Sequence, residues 1–343
     1  MTTRAAKAPT MMDVAREAGV SPMTVSRAFK SDSYVSAQTR KAIIEAADRL
    51  GYVMNSTAAG LSSQKTGFIA VTIPSINNAN FADTVRGLTD GLRQSRLQVL
   101  LGSTNYDVDE EERLVRQLLT RRPEAIVLTG GVHTDKCRKM LENAGIAVFE
   151  TWDLPKDPID DVVGFSNANA AALLVRHLIS TGRRKIAFLG GDASRDTRGF
   201  DRRRGFVNEM NAQNLDGNRL IEAGPPPISM REGAEAMAKL LTLWPDTQAV
   251  VCVSDLAAFG ALSECQRRGV DVPRRIAICG FGAYEISEIC VPPITTIDPQ
   301  CYRIGQVVAQ KIIKKIGLEP HTSSNTELGI QPSLVARAST GNY

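Results

Sequence analysis

No run of about 18 apolar residues occurs in the 343-residue chain, so no segment is suited to cross a bilayer as a helix. The N-terminus has no hydrophobic core of the kind a secretion signal needs, and the expected setting is the cytoplasm. The six cysteines (137, 252, 265, 279, 290 and 301) form no C-x-x-C pair and no Cys/His metal spacing. Buried thiols in a reducing compartment are expected, with no metal site and no cofactor. Three histidines, at 133, 177 and 321, are too scattered for metal catalysis, and no Ser/His/Asp or nucleophile-elbow pattern occurs. Gly190-Gly191-Asp192, a tight glycine pair closely following a strand-like run and leading towards a helix, is neither G-x-G-x-x-G nor a Walker loop. An enzyme needing a phosphate cradle therefore has nothing to build it from.

What the chain does have begins near its N-terminus. Val14, Ala15 and Ala18 give one short helix an apolar face, Gly19 supplies a sharp turn, and Ser21 can cap a second helix whose Val25, Ala28 and Phe29 face inward. Pro22, Met23, Thr24, Ser26 and Arg27 are left pointing outward. A helix-turn-helix needs this division, because its second helix touches base edges with its N-terminal residues. A packed helical corner has the same apolar pattern. Two further features favour DNA: a third helix, opened by Ser36 with Ile43, Ala47 and Leu50 at helical spacing, and charge. Residues 1–60 hold eight Lys/Arg and five Asp/Glu, so most of the whole-chain +4 lies where a phosphate backbone would.

At this length two or three folding units are expected, and 43% apolar with 23% charged residues describes an ordinary soluble protein. Residues 53–65 are small, polar and weakly helical, and read as a linker between a headpiece at 1–52 and a body at 66–343. In the body, apolar runs at 68–73, 97–101, 125–129, 147–150, 162–165, 186–190, 249–253 and 276–281 alternate with helical segments. Those segments are expected at 81–95, 108–121, 134–144, 167–180, 202–213, 231–243 and 255–268. This alternation means parallel sheets covered on both faces. The fold class is α/β: a helix-turn-helix headpiece and a body of two doubly wound subdomains, with a single barrel as the alternative.

The order of headpiece, linker and α/β body resembles the lactose-repressor (LacI/GalR) family of bacterial transcription regulators. The matching residues include Asp13 through Ser21, Thr24-Val-Ser-Arg27, Leu50-Gly-Tyr52, Asn55, Leu61, Ile73-Pro74, Asn78, Phe81-Ala82, Arg86-Gly87, Arg202 with Gly205-Phe206, and Asp255 with Ala258 and Gly260. Residues 136–141, Glu264-Cys-Gln266, His133-Thr134 and the Met23-Thr-Val-Ser-Arg core are most similar to the gluconate-utilisation repressors. The resemblance implies a body like periplasmic sugar-binding proteins, crossed by three chain segments. Its N-subdomain would hold about 66–165 and 296–320, and its C-subdomain about 166–293 and 321–343. It also implies a homodimer on a two-fold symmetric operator, controlled by a small effector. No heptads precede Tyr343, so no tetramer helix is expected.

Carried over by position, Pro22, Met23 and Arg27 are expected at base edges. The Arg27 fork matches guanine O6 and N7, a phosphate contact being its other role. Thr24, Ser26, Tyr52 and Asn55 are expected to hold phosphates, with packing as the alternative for Tyr52. Leu61 would enter the minor groove as a wedge, although Met54 stands where the family usually has proline and Gly60 weakens a hinge helix. For the effector, strand-end loops place Asn80, Phe81, His133, Trp152, Arg198, Arg202 and Asp255 around one cleft. Asp255 would accept two sugar hydroxyls or cap a helix. Ser254 replaces the family's usual asparagine. His133 would donate to a hydroxyl or be satisfied within its loop. Trp152 would stack on a sugar ring or pack in the core. Arg198 and Arg202, one helical turn apart, would pair with a carboxylate, so a sugar acid is the sharper expectation. A neutral sugar, a phosphosugar and a purine are the other ligands, and a sugar-acid enzyme or an unresponsive architectural DNA protein the other functions.

Overall fold

Thr10 opens the first helix, α1 (Met11–Glu17), with a reciprocal cap. Its hydroxyl accepts from Asp13 N, and its own N–H donates to the Asp13 carboxylate at 2.9 Å. Gly19, with φ +66°, takes the left-handed turn that a side chain would strain. Ser21 Oγ then accepts from Thr24 N at 3.2 Å and starts α2 (Pro22–Ala28), with proline at the first helical position, where no N–H is needed. Ser36 caps α3 (Ala37–Leu50), which ends on Gly51 in the left-handed conformation. Val14, Ala15, Val25, Ala28, Ile43, Ala46 and Ala47 form the buried core of this three-helix unit. Arg40 adds a hydrogen bond from α3 to the carbonyl of Ala28.

The computed structural model describes residues 8–29, 34–54, 66–95, 97–191, 195–318 and 329–341, and the chain divides into two units, Met1–Thr66 and Gly67–Tyr343. Most of the expected linker, with Asn55 and Leu61, lies outside the described residues, as does His321.

In the second unit the strands are β1 (Phe68–Ile73), β2 (Gln98–Ser103), β3 (Ala125–Thr129), β4 (Ala147–Thr151), β5 (Asp161–Val163), β6 (Ile186–Gly190), β7 (Leu220–Glu222), β8 (Ala249–Cys252), β9 (Ala277–Cys279), β10 (Thr296–Asp298) and β11 (Ser333–Val335). The first sheet is parallel with order β2-β1-β3-β4-β5, and the second is parallel with order β7-β6-β8-β9. Two separate open sheets exclude the barrel. In each, the strand order reverses beside the first strand of the unit, and ligands gather beyond the carboxyl ends at such a switch point.

The late helix Cys301–Lys315 packs on Ala79–Leu92, against the first sheet. Two glycines allow the approach: a Cβ on Gly87 would collide with the carbonyl of Tyr302, and one on Gly305 with that of Thr84. Lys311 secures the helix to β5 through Asp161 at 2.8 Å. Strands β10 and β11 form a separate antiparallel ribbon. The turn after β11 is fixed to the second sheet by Ser339 Oγ, which donates to Ile278 O at 2.6 Å. Strands β7, β10 and β11, three residues each, carry too few apolar side chains to stand out in the sequence. Helix Thr197–Ala212 begins five residues before its expected start, because the Asp196 carboxylate accepts from Gly199 N at 2.9 Å and caps it there.

Candidate functional site

In the headpiece the second helix presents a graded face. Pro22, Met23 and Arg27 are exposed, Met23 by 64%, while Thr24 and Ser26 are half-buried and Val25 and Ala28 face the core. The Thr24 hydroxyl is shared with the Ser21 cap at 2.9 Å. Tyr52 is half-buried, its ring edge-on to Phe29 at 6.3 Å and its N–H on Ala47 O at 2.8 Å, so its aromatic body packs.

In the body a cavity of about 240 Å³ opens between the carboxyl ends of the two parallel sheets. Asn78, Asn80 and Phe81 approach it from the start of Ala79–Leu92, Tyr106 from the loop after β2, and Trp152 from the end of β4. Arg198 and Arg202 enter from Thr197–Ala212, and Ser254, Phe281 and Tyr284 from the strand ends of the second sheet. Three of its lining rings belong to an aromatic chain completed by the buried Phe165: Phe81 edge-on to Trp152 at 5.1 Å, Trp152 tilted on Phe165 at 5.9 Å, and Phe165 stacked with Phe281 at 6.2 Å.

Both guanidiniums lie on rings. Arg198 sits 5.6 Å over Phe81 and Arg202 3.7 Å over Phe281. Arg198 Nη1 donates to Thr129 O at 3.2 Å. Arg202 donates from Nε to Asn167 Oδ1 and from Nη1 to Val253 O, each at 2.9 Å. Among the described residues neither arginine has a carboxylate within ion-pair distance, although Asp196 shares the cavity with its oxygen turned to the helix cap. Burial holds the Arg202 pKa below its ordinary value, with the Arg198 charge adding to the effect and Asp196 opposing it. Two cations this enclosed and unpaired are costly unless an anion joins them.

Three further features close the site. The Tyr284 hydroxyl donates to Asn78 Oδ1 at 2.7 Å, linking the two walls. Arg195 reaches across to Asn105 O at 3.0 Å. Trp152 is held at φ +71°, its Nε1 on Thr84 Oγ1 at 3.1 Å and its carbonyl accepting from Asn167 at 2.9 Å. It forms a fixed wall, buried in the core as much as it faces the cavity.

Two expected contacts are corrected. Asp255 is fully buried and does not line the cavity. Its Oδ1 accepts from the Thr296 hydroxyl at 2.6 Å and its Oδ2 from Tyr284 N at 2.8 Å. It does not cap its helix either, since Ser254 Oγ takes that place by accepting from Ala257 N. Burial raises its pKa to about 6, against the lowering effect of the Thr296 and Tyr284 hydrogen bonds. Asp255 therefore holds the loop bearing Tyr284 instead of meeting a ligand. His133 also faces away from the cavity. Its Nδ1 lies 2.6 Å from Glu111 Oε2, in a cluster with Glu150 of β4. Burial disfavours the imidazolium there, but the two carboxylates outweigh it and lift the pKa to about 9.

Asn80, Phe81, Trp152, Arg198 and Arg202 all line the cavity, brought together from segments far apart in sequence. Sequence reasoning missed the segment 226–229, whose prolines, Ile228 and Ser229 form one wall. The prolines were visible, but with β7 unrecognised no strand end pointed to them.

Comparison with known proteins agrees with this geometry. Residues 10–55 match the model of bacterial regulatory proteins of the lacI family, and residues 175–340 match a periplasmic binding protein-like domain. The chain is 35% identical to the HTH-type transcriptional regulator GntR of Pseudomonas aeruginosa, over 98% of this chain and 97% of that protein. It superposes on a LacI-family transcriptional regulator from Silicibacter pomeroyi with a TM-score of 0.91 and 29% identity, over 97% of this chain and 100% of the other. It also shares its fold with a lac repressor dimer bound to operator, at TM-score 0.81 and 24% identity, over 98% of this chain and 100% of that one.

Proposed function

We propose, from the premise that the chain belongs to the lacI family of bacterial regulatory proteins and is a DNA-binding transcriptional regulator, that a sugar acid sets its affinity for operator DNA. Gluconate is the first candidate. The observation that carries this reading is the pair Arg198 and Arg202, two enclosed guanidiniums with N–H groups facing a polar and aromatic cavity and no carboxylate partner among the described residues. A ligand carboxylate supplies the missing charge, bidentate geometry favours it, and a water-excluding wall strengthens the pairing. Asn78, Asn80, Tyr106 and Tyr284 offer donors and acceptors suited to hydroxyl groups, and the Trp152 and Phe281 faces suit the C–H surface of a polyol chain.

On the DNA side, Pro22, Met23 and Arg27 read base edges, Thr24, Ser26, Tyr52 and Asn55 contact phosphates, and Leu61 wedges the minor groove. The protein acts as a homodimer, as the lac repressor does on its operator, and binds a two-fold symmetric site as a repressor in the cytoplasm. No helix of the described residues is long and apolar enough to cross a membrane. The body is a sensor that binds its ligand without turning it over. The headpiece covers 1–52 and the linker 53–65. The body's subdomains pair 66–165 with 296–320 and 166–293 with 321–343.

The test is a thermal-shift and calorimetric screen of the full chain with gluconate, ketogluconates, hexuronates, glucose, a hexose phosphate and purines. A ligand bound only by the native state raises the melting point. Sugar acids are expected to raise it and glucose is not. A shift with the hexose phosphate alone assigns the arginines to a phosphate, and a shift with glucose or a purine alone overturns the acid reading.

A further inference from the structure

One group of ionisable side chains in the body takes no part in the cavity. Glu111 comes from helix Val108–Leu119, His133 from the loop after β3, Cys137 from the first turn of Asp135–Glu142, and Glu150 from β4. Glu111, Cys137 and Glu150 are buried, and the His133 side chain is only 2% exposed. One donor atom each from Glu111, His133 and Cys137 lie within 4.8 Å of one another, a carboxylate oxygen, a ring nitrogen and a sulfur. At zinc-type bond lengths a tetrahedral ion holds its donors roughly 3–4 Å apart, so side-chain rotation alone separates this grouping from a coordination shell.

A second observation lies on the far side of the imidazole. His133 Nε2 and Glu150 Oε1 are 3.4 Å apart but misaligned, and each is a buried polar atom with no hydrogen-bond partner. Glu150 Oε2 is already held by Ile159 N at 2.7 Å, which leaves Oε1 aimed at the ring. A cation on Nδ1 fixes the proton on Nε2. A small turn of the ring then makes the bond to Glu150, the arrangement in which an outer carboxylate sets the tautomer of a metal-bound histidine.

We propose that Glu111, His133 and Cys137 bind a divalent cation of the zinc class, with Glu150 as the positioning carboxylate. The mixed nitrogen, oxygen and sulfur set favours a borderline-soft ion over magnesium or calcium. Binding releases the thiol proton of Cys137 and the proton held between His133 and Glu111. A cavity of about 40 Å³ reaches Glu111 beside Asp107 and the exposed Val132, and offers an approach on the side of that ligand. The same cavity touches Arg198, so the ion stands close behind one wall of the effector site.

The test uses the full chain, stripped with chelator and titrated with Zn²⁺ against a chromophoric competitor, and in parallel with Co²⁺ followed by absorption. One ion per chain and a near-ultraviolet thiolate–cobalt band are expected. Cys137→Ser removes the band and weakens zinc at least tenfold. Glu150→Gln leaves the three donors in place and weakens it about tenfold, the usual size of an outer-carboxylate effect. Melting curves without metal show whether the variants fold. Should they not, a ¹¹³Cd resonance of the wild-type chain at a one-sulfur shift supports the site. Zinc affinity or a cobalt band that survives Cys137→Ser, or a wild-type chain that binds neither ion, overturns it.

Discussion

The headpiece and the body place their working side chains in opposite ways. In the headpiece Pro22, Met23 and Arg27 stand exposed on seven consecutive residues, and the helix that carries them is fixed by seven buried side chains. In the body Asn80, Trp152, Arg202 and Tyr284 are drawn from helices and strand ends spread over more than 200 residues and turned inward. A reader of long, flat DNA needs an outward face held at one angle. A sensor of a small polar molecule needs enclosure, because charge pairing is strong only where water is displaced. The difference also separates what substitutions do. A surface reader loses selectivity when a side chain is cut, whereas an enclosed site loses affinity and leaves an unpaired group behind.

The largest expected effect tests enclosure. Arg202→Met removes an enclosed, half-buried cation that the ligand must meet, and gluconate affinity by calorimetry should fall about 100-fold, roughly 3 kcal/mol, with operator affinity unchanged. An equal loss of DNA binding would mean that the two regions are not separable. Next is the buried carboxyl of Asp255. Its folded pKa, about 6, lies above the ordinary value of 3.8, so its proton stabilises the fold below about pH 4 and that stabilisation is lost as pH rises through 6. The amide introduced by Asp255→Asn can keep an acceptor on Tyr284 N and donate to Thr296, so the variant should gain on the wild type by about 2–3 kcal/mol between pH 4 and 7 in denaturant titrations. A difference flat across that window would show that burial does not govern this carboxyl.

How much of this was legible follows the same division. The helix-turn-helix could be read from Val14, Gly19, Ser21 and Val25 because caps, turns and helical spacing are local, and the structure sets each where its chemistry predicts. The alternation of strands and helices was equally local, so the first sheet and the β6, β8 and β9 strands of the second were foreseeable from apolar runs, whereas the short β7 was not. Arg202 was legible from the family resemblance and Arg198 because it lies one helical turn earlier, and both line the cavity. Asp255 and His133 were misplaced for a physical reason: a strand-end position says which region a residue enters, not which way its side chain turns. Thr296 and Glu111, the partners that turned them, lie 41 and 22 residues away. Nothing in the spacing of Glu111, Cys137 and Glu150 announced their meeting.

Smaller effects sharpen the headpiece side. Arg27→Ala should cost about 1–3 kcal/mol of discrimination at one operator base pair, measured by competition between cognate and substituted duplexes, and leave gluconate binding intact. Undiminished discrimination would assign that side chain to phosphates. Ser21→Ala removes the cap on Thr24 N and should lower headpiece stability by about 1 kcal/mol, with the melting of the body unmoved. A shift of both transitions together would contradict their independence.

The most direct measurement is the operator affinity of the full chain with and without gluconate, on a duplex recovered from a random pool and at several salt concentrations. The reading above requires a two-fold symmetric duplex, an affinity that falls steeply with salt, and a change of at least about tenfold when gluconate fills the cavity. An operator affinity that gluconate and every other sugar acid leave unchanged, in a protein whose DNA binding is otherwise intact, would contradict it.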